Sequence, residues 1–303
     1  MILFLTFNDY SNLCFNFSES LNSIGVKSQC LTLSSHPFGY EKQAVKVGLM
    51  GMMDAIEGAE VIIIGHSSMH LLKSLQDNLK GKRVWVLHTG TPYRQNPEIM
   101  NEAFNPIVEG TLTDSPEFME LGAKNIHYIA GAIDTNKILF STHKNESLTF
   151  AHYPSNPTNK GTAQIKNMMA EFAVKFICDE TILPHEENLK RISECDVYIE
   201  LFAPKQREKE YGSFGVTAFE AAAMGKVVIT NSLYDSVYEA AYGSSELVIA
   251  NTESDFKGCV HQLMQLQDFT HIKEINRLWI QKKHSYQATG TYLKQLIDTN
   301  RNH

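Results

Sequence analysis

The chain has no cysteine pair spaced for a metal or for redox exchange. Its five cysteines (Cys14, Cys30, Cys178, Cys195 and Cys259) are odd in number, widely separated and free of any CxxC. That usage argues against a zinc site and a disulfide framework, and for reduced thiols in a cytoplasmic compartment. No apolar run approaches the roughly 20 residues that a membrane-spanning helix requires. The opening Met1–Phe7 is apolar, but it carries no basic leader and meets Asn8-Asp9 at once, so it reads as a first strand and not as a signal peptide. No HExxH and no clustered Asp/Glu/His spacing is present, so no metal is expected. Twelve histidines would allow a Ser-His-Asp triad on paper, but no GxSxG elbow supports one. Repeats and low-complexity tracts are also absent. A net charge of −7 gives no support to a broad nucleic-acid surface, although it leaves room for a local basic groove.

What is present is the composition of a globular protein: 303 residues, 43% hydrophobic and 20% charged, enough for two domains with cores of their own. Apolar runs of five or six residues alternate with helical spacings. Strands are expected at 2–7, 26–32, 60–65, 83–88, 106–111 and 125–129, with helices at 13–24, 45–55 and 70–79. A rhythm of this kind means βαβ units around a parallel sheet. After an irregular stretch from 130 to 147 the rhythm resets. Strands follow at 148–153, 174–179, 196–201, 227–230 and 246–250, with helices at 160–172, 186–194, 216–224 and 253–267. The tail from 269 to 300 is helical throughout. The fold class is therefore α/β, with two Rossmann-like domains facing each other across a cleft. Domain one covers 1–140, domain two 141–281, and a last helix from about 282 to 303 is expected to pack back onto the first. Sites belong at the carboxyl ends of the strands.

The stretch from Tyr211 to Thr230 is the most informative. Gly212 and Gly215 clear a loop for close backbone approach to a ligand. A helix beginning near Val216 and Thr217 then points its N–H groups at whatever the loop holds, favouring an anion. Glu220 lies one turn in, where a carboxylate accepts hydrogen bonds from paired sugar hydroxyls. Glutamate early in a helix is often there for the dipole alone. Here its neighbours Phe219 and Ala221–Met224 are apolar, and a buried carboxylate needs a partner. Together these features look like a nucleotide-sugar site.

A second loop, Ala151–Thr162, runs from a strand into a helix. It sets Ser155, Asn156, Lys160 and Gly161 where an ammonium can meet a diphosphate at a helix N-terminus. Alone, its prolines and asparagines would be plain loop punctuation. Paired with the Gly212–Glu220 element they favour a ligand. In the first domain His88-Thr89-Gly90-Thr91 follows a strand. His88 could reach a sugar hydroxyl or be a satisfied histidine at a strand end, and Arg94 could contact a phosphate or an acceptor anion. Asn8-Asp9 and His66-Ser67-Ser68 follow strands too, and could contact an acceptor or be plain turn chemistry, the reading slightly favoured for both.

These residues resemble the retaining GT-B glycosyltransferases of the glycogen-synthase-like and sucrose-synthase-like superfamily. The likeness covers most of the chain, including an Ile133-Asp134 linker, Lys160-Gly161 and the Glu-Ala-x-x-x-Gly-Lys-Val-Val pattern from Glu220. It implies transfer of a hexosyl or pentosyl group from a nucleotide-diphosphate sugar with retention, without a cofactor or a catalytic metal. Glu220 would orient the ribose, and His88 would touch the donor sugar. Lys160 and the helix start at Gly215–Thr217 would stabilise the leaving diphosphate. The donor side would comprise Ser155, Asn156, Lys160, Gly161, Gly212, Ser213, Phe214, Gly215, Val216, Thr217 and Glu220. The acceptor side would comprise Asn8, Asp9, Gly90, Thr91 and Arg94.

Two positions depart from the family pattern. Gly212 stands where the earlier of two glutamates is usual, and Ser155 where an arginine often precedes the lysine. A branch with His-x-Pro-Ser-Asn and Gly-x-x-Gly shares both traits. The acceptor is a glycan, a small molecule or, in a phage-type DNA-modifying variant, a nucleic-acid base. A catalytically silent nucleotide-sugar-binding domain is the reading from another class, motivated by Gly212. Nucleotide-sugar epimerases share the architecture, and longer chains are expected to set them apart.

Overall fold

The structure, a computed structural model, describes residues 1–299 other than 204, 207, 208, 213 and 267. The chain divides into two compact units. Met1–Ala132 and the segment that begins at His284 form the first, and Ile133–Lys283 forms the second. Residues 133–140, placed with the first domain from sequence, group with the second unit. Arg277 holds them there by donating to the carbonyls of Thr135 (2.6 Å) and Ile138 (2.6 Å).

The first unit is built on a parallel seven-stranded sheet. Its strands are β1 (Ile2–Asn8), β2 (Ser28–Ser34), β3 (Val45–Lys46), β4 (Val61–Ile64), β5 (Arg83–His88), β6 (Gly110–Thr113) and β7 (Ile126–Tyr128). They lie in the order β3-β2-β1-β4-β5-β6-β7, so the chain reverses direction across the sheet between β1 and β4. Helices α1 (Leu13–Ser23), α2 (Leu49–Glu57), α3 (Met69–Leu75), α4 (Gly90–Gln95) and α5 (Pro97–Phe104) connect them. The strands read as unbroken apolar runs because both faces are covered. Alternate residues part between two cores. Leu3, Leu5, Ile62, Ile64, Val84 and Val86 meet Met52, Ile56, Leu71 and Leu75 on one face. Ile2, Phe4, Val61, Ile63, Trp85 and Leu87 meet Leu13, Phe17 and Leu21 of α1 on the other.

The second unit holds a five-stranded parallel sheet with a small antiparallel pair beside it. In chain order the elements are β8 (Thr149–His152), α6 (Thr162–Met169), β9 (Lys175–Cys178), α7 (His185–Ser193) and β10 (Val197–Ile199). The pair β11 (Lys205–Gln206) and β12 (Lys209–Glu210) follows, then α8 (Val216–Ala223), β13 (Val227–Thr230), α9 (Asp235–Tyr242), β14 (Val248–Ile249), α10 (Glu253–Gln265) and α11 (Thr270–Lys283). The sheet order β14-β13-β10-β8-β9 puts the reversal between β8 and β10. Phe150, Val197, Ile199, Val227 and Ile229 pack against Ile165 and Met168 of α6 and Phe256 and Val260 of α10.

The helical tail is broken at His284-Ser285, where α12 (Tyr286–Thr299) begins and returns to the first unit. Leu293 and Ile297 complete the α1 core, and Tyr286 donates to Asn16 Oδ1 at 2.9 Å. The segment expected as a helix from 45 to 55 is instead edge strand β3 followed by α2. Gly48 takes an extended conformation at the N-cap and delays the helix to Leu49. Helix α9 was not anticipated from sequence. Among the described residues no helix is long and apolar enough to cross a membrane.

Gly290 is where α12 touches the backbone of α1, and a Cβ there would collide with the Ser20 carbonyl. Gly290→Ala is expected to cost about 1–3 kcal/mol, the usual penalty of forcing atoms into a packed contact. Gly258→Ala in α10 meets nothing within 4 Å and should be neutral or gain up to about 1 kcal/mol from helix propensity. Urea unfolding of the two variants side by side checks the pair, and equal stabilities would contradict the α1–α12 docking.

Candidate functional site

In open α/β sheets the segments that leave the strands on either side of the reversal diverge and open a crevice at their carboxyl ends. In the second unit those segments follow β8 and β10, and the loop carrying Lys160 and the residue Glu200 leave the sheet there. His152 ends β8 and fixes the start of the loop. Its Nδ1 donates to the Ile199 carbonyl (2.8 Å), which leaves Nε2 to accept from the Thr162 hydroxyl (2.9 Å). Burial pushes this imidazole down to about 4, so it is neutral near pH 7. One ring thereby ties β8, β10 and the first residue of α6 together.

The loop closes on itself through Asn156, whose carbonyl accepts from Lys160 N–H (3.1 Å) and whose side chain accepts from Asn159 N–H (3.0 Å). Ser155 is exposed on the same turn. Gly161 is the N-cap of α6 at φ 68, and a Cβ there would strike the Phe202 carbonyl. Left-handed backbone and close approach together leave room only for glycine. Gly215, the N-cap of α8, has ordinary extended backbone and is confined by close approach alone, since a Cβ would run into Glu200 Oε1 and lie 2.9 Å from Lys160 Nζ. Two helix N-termini thus lean on the segment 200–202 with the Lys160 ammonium beside them. That is an anion-binding arrangement of dipoles plus one cation.

Lys160 Nζ donates to Glu200 Oε1. The Glu200 side chain is wholly enclosed (0% exposed), and Lys160 keeps 13% exposure. Glu200 Oε2 is buried without a hydrogen-bond partner among the described residues. Burial pushes Lys160 down to about 7. Glu220 lies on α8, buried, and its Oε1 accepts from His185 Nε2 at 2.6 Å. Burial works against charge on His185, but the Glu220 carboxylate outweighs it and the ring titrates above the ordinary histidine value.

The other donor-side expectations fall as follows. Phe214 is buried against Phe219 and Tyr238, so its ring anchors the loop from below. Val216 and Thr217 are half-buried in the first turn of α8, and Gly212 is buried. Ser213 lies outside the described residues.

The first unit rearranges the expectations more strongly. His88 shares a strand face with Val84 and Val86, so the period of two turns it inward. It is fully buried, stacked on Tyr93 with centroids 4.0 Å apart, and its Nδ1 and Ser67 Oγ share a hydrogen bond (2.9 Å). Burial pushes it down to about 3. Contact with a donor sugar does not fit this position. Arg94 is likewise buried. It is paired with Glu117 and lies over the Phe118 ring at 4.9 Å, so its charge is already matched inside the unit. Gly90 and Thr91 form the half-buried start of α4, and Asn8 is half-buried at the end of β1.

Asp9 proves to be the centre of a network. Its Oδ1 accepts from Cys14 N–H (2.9 Å), its Oδ2 from Phe15 N–H (2.9 Å), and His66 Nε2 reaches Oδ1 at 3.0 Å. His66 Nδ1 continues to Thr89 Oγ1 at 2.7 Å. Both segments turn through left-handed backbone, with Ser11, Asn12, His66 and Ser67 at φ 53–56. Asp9, Cys14 and His66 offer ligand atoms within 4.8 Å of one another, but the Asp9 oxygens are already taken up in capping α1 and holding His66.

The sequence reading missed Glu200 and His185 and took His66 as plain turn chemistry. A signal existed for Glu200: it is the lone carboxylate in the apolar run Val197–Phe202. His185, after Pro184, gives none.

No known protein family matches the sequence, and no curated protein matches it either. Solved structures do match in fold. Sucrose-phosphate synthase from Thermosynechococcus elongatus is 11% identical at a TM-score of 0.67, with 99% of this chain and 98% of that one covered. Os79 from O. sativa in complex with UDP is 9% identical at 0.53, with 100% of each chain covered. A putative UDP-N-acetylglucosamine 2-epimerase from Listeria monocytogenes is 8% identical at 0.52, with 96% of this chain and 94% of that one covered. The fold is GT-B, two Rossmann-like units in one chain. Coverage of the epimerase structure shows that length does not separate the two groups.

The raised pKa of His185 has a stability consequence with a definite sign. The native state holds this proton more tightly than the unfolded chain, so the pair's contribution is complete below about pH 6.5 and is lost as pH rises through the folded value. The gap in urea midpoint between wild type and His185→Asn should therefore narrow from pH 5.5 to pH 8.5. A gap that widens would reverse the assignment of charge to this pair.

Proposed function

We propose that this protein is a glycosyltransferase that takes its sugar from a nucleoside-diphosphate donor bound in the second unit. The observation that carries the reading is the convergence of Lys160 and the N-caps of α6 and α8 at the switch point between β8 and β10. The diphosphate is assigned to that cluster. The ribose is assigned to Glu220, whose carboxylate has acceptor capacity left after one bond from His185. Binding of UDP by the similar Os79 makes UDP the first nucleotide to try.

In the proposed reaction the acceptor's hydroxyl oxygen bonds to the anomeric carbon as the bond from that carbon to the diphosphate oxygen breaks. The electron pair leaves on the diphosphate, and the hydroxyl proton ends on the released product. Negative charge grows on the leaving group, where Lys160 and the two helix N-termini stand. Preorganised charge of this kind contributes about 3–4 kcal/mol per well-placed donor. Retention is the outcome that the family resemblance supports, and the unpaired cysteines support a reducing, cytoplasmic setting.

Lys160→Ala and Glu220→Ala are each expected to weaken UDP binding by roughly tenfold or more, the loss of about one charge-assisted hydrogen bond. Calorimetry on both variants checks this, preceded by a thermal-shift screen of nucleoside diphosphates and their sugars. Unchanged affinity in both would sink the site. Nucleotide binding with neither transfer nor slow donor hydrolysis would point to a silent binding domain, and a C2-inverted sugar nucleotide as product would point to epimerisation.

A further inference from the structure

Among the described residues Lys160 supplies the ammonium at the proposed anion site, and the structure does not leave it to solvent. Glu200 lies directly beyond β10, on the other side of the switch point from the Lys160 loop, and its backbone N–H is fixed to the Ile229 carbonyl at 2.9 Å. Its carboxylate is roofed by Gly215, where any side chain would collide with it. One oxygen takes the Lys160 ammonium, and the other is buried without a partner among the described residues. A buried ion pair left half-satisfied is a poor source of stability, and an apolar pair of the same volume would serve a core as well or better. Its place beside two helix N-termini suggests a different use.

We infer that Glu200 is the positioning residue of the anion site: from beneath the Gly215 turn it keeps the Lys160 ammonium charged and held between the starts of α6 and α8, and yields it to a nucleoside diphosphate. The inference rests on the donor reading above and adds a residue that acts on the ligand only through Lys160. Without a facing carboxylate, a lysine this enclosed gives up its proton at lower pH. His185, bonded to Glu220 on α8, titrates above the ordinary histidine value, and because it is common to wild type and variants its effect divides out of their ratio. His152 is held neutral by burial at about 4.

The test is UDP affinity measured by calorimetry from pH 5.5 to pH 8 for wild type, Glu200→Gln and Glu200→Asp, read as the ratio of variant to wild type so that UDP's own titration divides out. Glu200→Gln is expected to bind within about twofold of wild type at pH 5.5 and at least tenfold more weakly at pH 8, a shift of about one pKa unit or more. Glu200→Asp keeps the charge one methylene further back, so it should move the same way by a smaller factor, and it answers the question should the glutamine variant not fold. A ratio constant across the pH range in either variant, as a purely structural role would give, overturns the inference while UDP binding itself stands. No UDP binding by wild type at any pH overturns the donor reading and this inference together.

Discussion

The second unit is organised around a buried ion pair that only glycine can cover. Lys160 and Glu200 meet at the switch point, and the two helices nearest them can start where they do only because their N-caps lack side chains. A methyl group at 161 would strike the Phe202 carbonyl, and one at 215 would strike the Glu200 carboxylate. The spacing of α6, α8 and the segment 200–202 is thus set by backbone meeting backbone and backbone meeting charge. Both helices follow from this constraint, as does the direction in which their N–H groups point. His152 adds the third tie, since it cannot hydrogen-bond to both Ile199 and Thr162 unless β8, β10 and α6 keep this geometry.

The first unit solves a similar problem with other residues. Its reversal lies between β1 and β4, and there again an acid and a base from the two diverging segments meet in a buried contact, Asp9 with His66. Here the acid also caps α1 through the amides of Cys14 and Phe15, so it is fully engaged, whereas Glu200 keeps one oxygen unpartnered among the described residues. The backbone around Asp9 and His66 is strained, with four non-glycine residues in the left-handed region, a cost of about 1–3 kcal/mol each. The second unit turns through left-handed backbone at Gly161 (φ 68) and at Ala203 (φ 44), and only the glycine adopts it without cost. The two sites therefore differ in kind: one is a saturated network, and the other keeps a carboxylate oxygen without a partner among the described residues.

Much of the fold was legible in the sequence because the signals were redundant. Apolar runs with both faces buried, broken at regular intervals by glycine and polar turns, admit little besides a parallel sheet, and the donor-side motifs are contiguous in sequence. Lys160-Gly161 and Gly215–Glu220 could be placed at helix starts for that reason, and they stand at the starts of α6 and α8. What failed was orientation. His88 follows the same pattern as a cleft residue, but its register beside Val84 and Val86 turns it into the core. Arg94 reads as an anion ligand until Glu117, far along the chain, proves to hold it. His185 and Glu200 were missed from the opposite cause: their partners Glu220 and Lys160 lie 35 and 40 residues away, and no local pattern announces a pairing made by the sheet.

These pairings recast the glycine at 212. Read along the chain, it looks like a missing charge in a donor site that ought to hold two carboxylates. Among the described residues of the folded unit, two carboxylates stand near α8, Glu220 on the helix and Glu200 beneath its N-cap, and each is matched by a base, His185 and Lys160. A third carboxylate at 212 would add negative charge near a site whose proposed ligand is a diphosphate and whose cationic side chain is already half neutralised. With glycine there, position 212 itself brings backbone and no charge toward the start of α8. Among the described residues, the proposed attraction for an anion would come from the two helix N-termini and from Lys160, and on the inference drawn above its strength would depend on Glu200, which acts only through that ammonium.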